Sequence, residues 1–526
     1  MVDLAILLGI LSNIIFGLGI LGWLTKGVLN FLALISLTIL IIFLWKKKIW
    51  LWFEEFWEDI KKDRLCLFLT GLWILQILVN LVGALGPELG FDALWYHLTL
   101  PKIYLQESRI FFIRGGLFYY SAIPKLTEML YLLSLNFSRF GILSKLIHFS
   151  FGILSSIVLY NLSKRYLKER FSLLVVLFFY TSLIVGWESI SAYVDLSRTF
   201  FELLALDEFL IWWRVRQKES LINSAVCLGL AISTKLIAFA TLPVFLILIF
   251  LKSKKIPFSF LFFIFSLLIP LPWLVFSYLY TGNPVFPIFS HILDETHKIV
   301  QFNFLRFFRD FFVLLYRPQD PISPVFLIFL PLLVWGIIRG RLKKLYILAS
   351  YVFLAYIFWY FTPRTGGARF ILPYLPAWSL LTVGLISQEP VFFQKFLIFV
   401  VALSSLTNIG YRSLANKKFI PFLIGRESKD QFLEERLNFN FGDFYDLNGE
   451  VKKIIGKDDL VLVSGSHNLF YVDFLFIHSS YARKDTPISL VLVQGKEYPK
   501  DVKLGKLVYK NPKTNVELYL FKGWQN

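Results

Sequence analysis

The chain has 526 residues, 57% of them hydrophobic and 18% aromatic, and carries a formal net charge of +18. At a mean hydropathy of +0.64, that composition excludes a soluble globular protein, because only lipid can be the solvent for so much apolar surface. The basic residues lie between apolar runs rather than on one polar face, which argues against nucleic acid and for cytoplasmic loops and contact with anionic membrane lipids.

Membrane helices need about 17–25 apolar residues, fewer where a helix is broken or buried among others. Such runs occur at 4–24, 28–45, 65–85, 142–161, 171–187, 198–213, 221–235, 237–251, 257–281, 322–338, 345–361, 370–387 and 391–408. They predict an α-helical polytopic membrane protein of about thirteen transmembrane helices. The first run carries Asp3 rather than a basic leader, with no small-residue cleavage pattern after it, so it reads as a retained span. The stretch 49–60 mixes Trp, Phe and acids and reads as a helix in the interface plane, as does 302–316 with Arg306, Arg309 and Asp310.

Five basic clusters punctuate these runs: Lys46, Lys47, Lys48, Lys61, Lys62 and Arg64; Lys164, Arg165, Lys168 and Arg170; Arg214, Arg216 and Lys218; Lys252, Lys254 and Lys255; Arg339, Arg341, Lys343 and Lys344. In the thirteen-span count all five share one side, which the positive-inside rule makes cytoplasmic. The other side receives the loop 86–123, the segment 188–197, the turn at Thr234 and Lys235, the loop 282–321, the segment 362–369 and the tail 411–526. That tail is more polar. A helix-like stretch near 446–455 precedes short β-branched runs such as 460–465, so it reads as a small α/β extracytoplasmic domain. The two cysteines, Cys66 and Cys227, lie in or beside apolar runs, and the six histidines show no metal-binding spacing.

The candidate chemistry gathers on that outer side. Charge at the mouth of a membrane helix is costly unless it faces water or a substrate. The segment 86–109 places Asp92, His97, Lys102 and Glu107 there. Asp92 follows Gly86, Pro87 and Gly90, which stop the preceding helix, and it has two compatible readings. It accepts a proton from an acceptor hydroxyl or binds a metal, or it caps a short helix over 93–100. Lys235 in AISTKLIAF either snorkels to the interface or serves a site. Arg364 and Arg369 frame TPRTGGAR, a pattern suited to a phosphate or pyrophosphate, with lipid headgroups as the alternative. Glu188 and Asp195 offer a second acid, a metal ligand or a helix cap, and His97 offers a metal ligand or a hydrogen bond. The segment 280–289, YTGNPVFPIF, reads as a rigid turn. Carboxylates, phosphate-holding cations and a lipid-accessible setting together suit group transfer from a lipid-phosphate donor.

Several phrases in order resemble the membrane-embedded GT-C glycosyltransferases, the class of the protein O-mannosyltransferases (family 39) and the aminoarabinose transferases of lipid A. They are FDALWYHLTLPKIYLQ at 91–106, IPKLTEMLYLLSL at 123–135, SAYVDLSRTFFELLAL at 191–206, GLAISTKLIAF at 229–239, YTGNPVFPIF and RFILPYLPAWSLL at 369–381. The resemblance implies a polyprenyl-phosphate sugar donor, inversion at the anomeric carbon, and a glycan, lipid or protein acceptor. It implies Asp92 as catalytic base or metal ligand, and Lys235, Arg364 and Arg369 as the cations on the donor phosphate. His97, Lys102, Asp195 and Glu188 are then candidates for positioning substrate, and any divalent metal would fall to Asp92 and His97. The mannosyltransferases carry an Asp-Glu pair where this chain has Asp92 and Ala93, so Asp92 acts alone or with an acid from another loop. The expected organisation is two additional spans and an interfacial helix in 1–64, a GT-C-like module in 65–410 and the outer domain in 411–526, in a bacterial inner membrane. The alternative functions are a transporter or flippase of lipid-linked sugars, which predicts midplane charges and repeat symmetry, and a non-catalytic membrane scaffold.

Overall fold

The computed structural model describes every residue except 139, 291–301, 317–321, 342–344, 363–366 and 526. Helix occupies each of the thirteen expected apolar ranges. Among the described residues, seven helices are long and apolar enough to cross a membrane, or eight if Ile256–Leu268 and Leu271–Thr281, bent by 64°, form one span. The difference from thirteen has physical causes. The run 171–187 breaks between Glu169–Tyr180 and Leu183–Glu188, and the run 322–338 between Pro324–Ile328 and Leu330–Ile338. The helix Asp195–Val215 has the length of a span but carries Asp195, Arg198, Glu202, Asp207, Glu208 and Arg214.

That charged helix lies at the centre of the bundle. It packs on Ile142–Lys164, on Lys218–Thr234 and on the 3₁₀ segment Gly367–Tyr374, and residues 195 to 206 are all buried. Its polar groups satisfy one another. The Arg198 Nε donates to Glu202 Oε1 at 2.5 Å, and Thr241 donates to Glu202 Oε2 at 2.6 Å. Arg198 also reaches the Phe370 carbonyl and the Tyr374 hydroxyl, each at 3.4 Å. The charge pair thus lies about 5 to 10 Å along the helix from Asp195, at 1.5 Å per residue. A fully partnered pair of this kind is tolerated inside a bundle.

The first helix, Val2–Ile20, belongs to this bundle. Its Phe16 stacks on Trp273 with ring centroids 3.8 Å apart, and a Cβ on Gly9 would meet Leu230 at 2.4 Å. The second helix, Lys26–Lys46, buries only Leu29. The amphipathic helices expected at both interfaces are present as Ile49–Ile60 and Phe304–Tyr316.

The C-terminal segment folds as an α/β unit around a five-stranded sheet of order β2-β1-β3-β5-β4. Its strands are β1 (Val461–Ser464), β2 (Phe476–His478), β3 (Leu490–Gln494), β4 (Val502–Asn511) and β5 (Val516–Trp524). β1 is parallel to β2 and β3, and β5 is antiparallel to β3 and β4. This unit is docked on the loop that follows Arg64–Ala84. Tyr471 Oη donates to the Glu88 carbonyl at 2.9 Å, the Phe470 N–H donates to the Leu94 carbonyl at 3.2 Å, and Lys102 donates to the carbonyls of Phe470 and Val472. Gly115, at φ +125°, lets the backbones meet: a Cβ there would lie 2.4 Å from the Ser480 carbonyl oxygen.

The loop itself is anchored from the membrane side by Lys145. This fully buried ammonium donates to the carbonyls of Gly83, Gly86 and Pro87 at 2.9, 2.8 and 3.1 Å, closing the end of Arg64–Ala84 where no further helical N–H is available. Lys145→Met keeps the apolar stem and strands three buried acceptors. At about 1–3 kcal/mol for each unsatisfied group, the thermal midpoint of the purified protein should fall by at least about 5 °C. An unchanged midpoint would remove Lys145 as the anchor.

Candidate active site

The loop after Arg64–Ala84 is shaped by one buried acid. Glu88 accepts from the N–H groups of Leu89 and Gly90 at 2.9 and 2.7 Å with one oxygen, and from the N–H of Ala192 at 2.6 Å with the other. It therefore ties the stretch before Asp92 to the stretch before Asp195. The Asp92 N–H donates to the Tyr193 hydroxyl at 3.3 Å. Ala93–His97 then forms a π-helical turn, closed by the Leu98 N–H on the Ala93 carbonyl at 3.0 Å. Such turns are rare and recur at functional sites. Asp92 stands at the N-cap position, yet its side chain makes no capping bond. Its carboxylate instead meets Arg369, with Nη2 donating to Oδ2 at 2.6 Å.

A second pair lies alongside. Lys235 follows Lys218–Thr234, where the chain turns extended, and its ammonium donates to both oxygens of Asp195 at 2.7 and 2.8 Å. Both cations pack on one ring. Lys235 Nζ is 4.7 Å and the Arg369 guanidinium 5.6 Å from the Phe370 centroid, and Arg369 also lies over Tyr193 at 5.1 Å. The four charged side chains are at most 14% exposed. The backbone on either side of Asp195 is held by His148, whose Nε2 accepts from the Leu196 N–H at 2.9 Å while its Nδ1 lies 2.8 Å from the Ser191 carbonyl.

These groups face a cavity of about 1220 Å³. Asp92, His97, Lys235 and Arg369 line it, with Asp195 behind Lys235. Its walls are otherwise largely apolar and aromatic, from Phe91, Trp95, Tyr119 and Tyr120 in the loop to Phe358, Phe361 and Phe370. The Pro-rich turn contributes Val285, Pro287, Ile288 and Phe289. It is rigidified by Asn283, whose side chain donates to the Ile288 carbonyl at 2.6 Å and accepts from the Val285 N–H at 3.0 Å.

Two expected residues stand elsewhere. Lys102 lines a separate cavity of about 730 Å³ under the C-terminal domain. Glu188 is buried beside His148, 3.9 Å from its Nε2. Arg364 lies outside the described residues. Among the described residues no three His, Cys, Asp or Glu side chains converge as a metal site, and the Asp92 carboxylate is engaged by Arg369. His97 Nδ1 lies 2.8 Å from Glu128 Oε1, both nearly fully buried, which leaves His97 Nε2 and Glu128 Oε2 unpartnered beside the cavity.

Sequence reasoning missed Tyr193, Glu128 and the contribution of the outer domain. An acid amid the apolar run LTEMLYLL was a legible signal for Glu128. His467, His478 and Ser480, which also line the cavity, had no such signal, because only docking of the sheet brings them there. His478 ends β2, and burial, with His467 nearby, pushes its pKa down to about 4. Its Nδ1 accepts from the Ser480 N–H at 3.1 Å, which leaves the proton of the neutral ring on Nε2.

The chain superposes on ArnT from Cupriavidus metallidurans bound to undecaprenyl phosphate with a TM-score of 0.59, at 11% sequence identity, over 86% of this chain and 97% of that one. The apo state of the same protein gives a TM-score of 0.58 at 12% identity over the same shares. An apo oligosaccharyltransferase from Archaeoglobus fulgidus gives 0.48 at 14% identity, over 80% of this chain and 69% of that one. No protein-family model and no curated protein sequence matches the chain. The protein therefore has a GT-C-type polytopic membrane fold, that of the aminoarabinose transferase, with a small C-terminal sheet domain.

The His478 shift has a stability consequence. The unfolded imidazole takes up a proton near pH 6.5 and the folded one only near pH 4, so between these values the unfolded chain binds more protons and stability falls as pH drops. The loss approaches about 3 kcal/mol at the acid end. Thermal midpoints of His478→Gln, measured against wild type from pH 7.5 to 4.5, should show the variant gaining relative stability below pH 6.5. A constant offset across the range would refute the buried neutral imidazole.

Proposed function

We propose that the protein is an inverting glycosyltransferase that moves a sugar from a polyprenyl-phosphate donor to an acceptor hydroxyl on the extracytoplasmic face. The observation that carries the reading is the convergence of two carboxylate–cation pairs, Asp92 with Arg369 and Asp195 with Lys235, at one apolar cavity. The likeness to ArnT, a protein crystallised with undecaprenyl phosphate, supports the same reading.

The chemistry follows from the groups present. A donor phosphate entering the cavity competes with the carboxylates for Lys235 and Arg369, with Arg364 as a third expected cation. As Arg369 turns to phosphate, Asp92 is released beside the reacting carbon. The acceptor oxygen then attacks the anomeric carbon from the face opposite the phosphate. The bond from that carbon to the phosphate oxygen breaks, polyprenyl phosphate leaves with the electron pair, and the hydroxyl proton passes to Asp92. Attack opposite the leaving group inverts the centre. Asp195 keeps Lys235 aimed at the cavity, and the apolar walls keep water from competing with the acceptor. No step requires a metal.

Asp92→Asn should lower sugar transfer in membranes supplied with labelled polyprenyl-phosphate sugar by at least about 100-fold, while binding of undecaprenyl phosphate persists. Near-wild-type transfer by that variant would sink the proposal. Flipping of the donor lipid in proteoliposomes without any product would favour the transporter instead. Arg369→Gln should weaken undecaprenyl phosphate binding by about tenfold or more, measured by displacement of a fluorescent analogue; unaltered binding would assign Arg369 to structure alone. For orientation, a membrane-impermeant maleimide should label Lys513→Cys in intact cells but Lys254→Cys only after permeabilisation, and the reverse pattern would invert the topology.

A further inference from the structure

Part of the cavity is built by groups that phosphate transfer does not use. Where the outer domain meets the loop, Phe91, Trp95, Tyr119 and Tyr120 are all half-buried and line the cavity. Their rings hold one another in place. Tyr120 stacks on Tyr96 at 4.0 Å and on Tyr119 at 4.2 Å, and Trp95 stands edge-on to Tyr120 at 5.1 Å. The Trp95 indole N–H donates to the Leu117 carbonyl at 3.0 Å, and the Leu117 N–H donates to Ser480 Oγ at 3.3 Å. The aromatic wall is thereby tied to the outer domain.

Beside Ser480 stands His478, 7% exposed, with Nδ1 accepting from the Ser480 N–H and lying 2.9 Å from its hydroxyl. The Nε2–H of the neutral ring makes no close hydrogen bond and has the Ser466 carbonyl as a more distant partner. A buried donor with only a distant acceptor has capacity for a closer one, and this one lines a cavity large enough for a ligand. Lys235 and Arg369, the cations among the described lining residues, are both packed on Phe370. With Tyr120 stacked between Tyr96 and Tyr119 as their support, the sector of Trp95 and His478 offers the rings of Trp95 and Tyr119 and neutral hydrogen-bonding groups. That pairing suits a pyranose, whose C–H face packs on a ring and whose hydroxyls pair with neutral donors and acceptors.

We propose that this sector, formed by Trp95, Tyr119, Tyr120, His478 and Ser480, is the subsite for a sugar ring of the acceptor. The inference rests on the glycosyl-transfer reading and adds the acceptor's chemical class, a carbohydrate. Asp92 follows Phe91 in the chain and pairs with Arg369, and all three line the cavity. A ring seated on the wall presents a hydroxyl toward Asp92, with the donor phosphate at the cations beyond. The outer domain is in this account part of the site, supplying what the membrane module lacks.

The test uses the full chain in nanodiscs with maltose, cellobiose and N,N′-diacetylchitobiose as probes, followed by saturation-transfer NMR. At least one probe should bind saturably to wild type. His478→Gln and Trp95→Phe should each weaken that binding by at least about fivefold, with thermal midpoints at pH 7.5 certifying that both variants are folded. Arg369→Gln should leave sugar binding intact while weakening undecaprenyl phosphate binding, so that failure of the donor reading and failure of this one are read separately. Absence of saturable binding by all three sugars, or binding untouched in both wall variants, overturns the subsite. If undecaprenyl-phosphate-mannose displaces the bound disaccharide, the wall holds the donor's sugar and the acceptor assignment is overturned; joint occupancy supports it.

Discussion

Mutual neutralisation of charge at the mouth of an apolar bundle is the constraint on which the site depends. Asp195 is fully buried, and Asp92, Lys235 and Arg369 are nearly so. Isolated, any one of them would carry a desolvation cost of several kcal/mol. Paired, they are tolerated, and each pair leaves its cation directed at a cavity rather than at bulk water. The pairs are therefore both a condition of folding and a store of charge that an anionic ligand can redirect. In the proposed reaction a phosphate would replace one carboxylate at a cation, and the released carboxylate would be the base nearest the reacting centre.

The scaffold around these pairs is equally dependent on polar groups held inside apolar surroundings. Glu88 collects three N–H groups from two different loops, and Lys145 collects three carbonyls at the end of one helix. Arg198 and Glu202 fix the segment that carries Arg369 and Phe370 through Phe370, Tyr374 and Thr241. Each of these groups is multiply satisfied, which is what permits it to be buried at all. The resulting backbone is irregular, with a π turn at Ala93–His97 and a 3₁₀ segment at Gly367–Tyr374, but it lines a cavity and is enclosed by protein, the setting in which non-helical backbone is tolerated at a membrane.

The C-terminal domain is more than an appendage in this arrangement. It clamps the loop through Tyr471, Phe470 and the ammonium of Lys102. The same contact surface carries His467, His478 and Ser480 to the rim of the cavity. Lys102, expected near a phosphate, is occupied in this clamp, because the turn of Thr99–Gln106 aims it away from Asp92 and toward the sheet.

Hydropathy by itself determined the helical membrane class, the places of the apolar helices and the polar C-terminal domain, since the burial of long apolar runs is a local property of composition. It also singled out Asp92, Asp195, Lys235 and Arg369, because charge in apolar context is conspicuous wherever it falls. The number of uninterrupted spans was not legible, because breaks such as those at 181–182 and at Phe329 depend on neighbours that enclose the exposed backbone. Pairing was not legible either: Asp92 meets Arg369 across 277 positions and Lys235 meets Asp195 across 40. Only tertiary structure decided that Asp92 answers a cation rather than capping its own helix, and that two histidines of the outer domain reach the cavity. Composition records what each residue costs to bury, whereas the partner that offsets the cost is chosen by the fold.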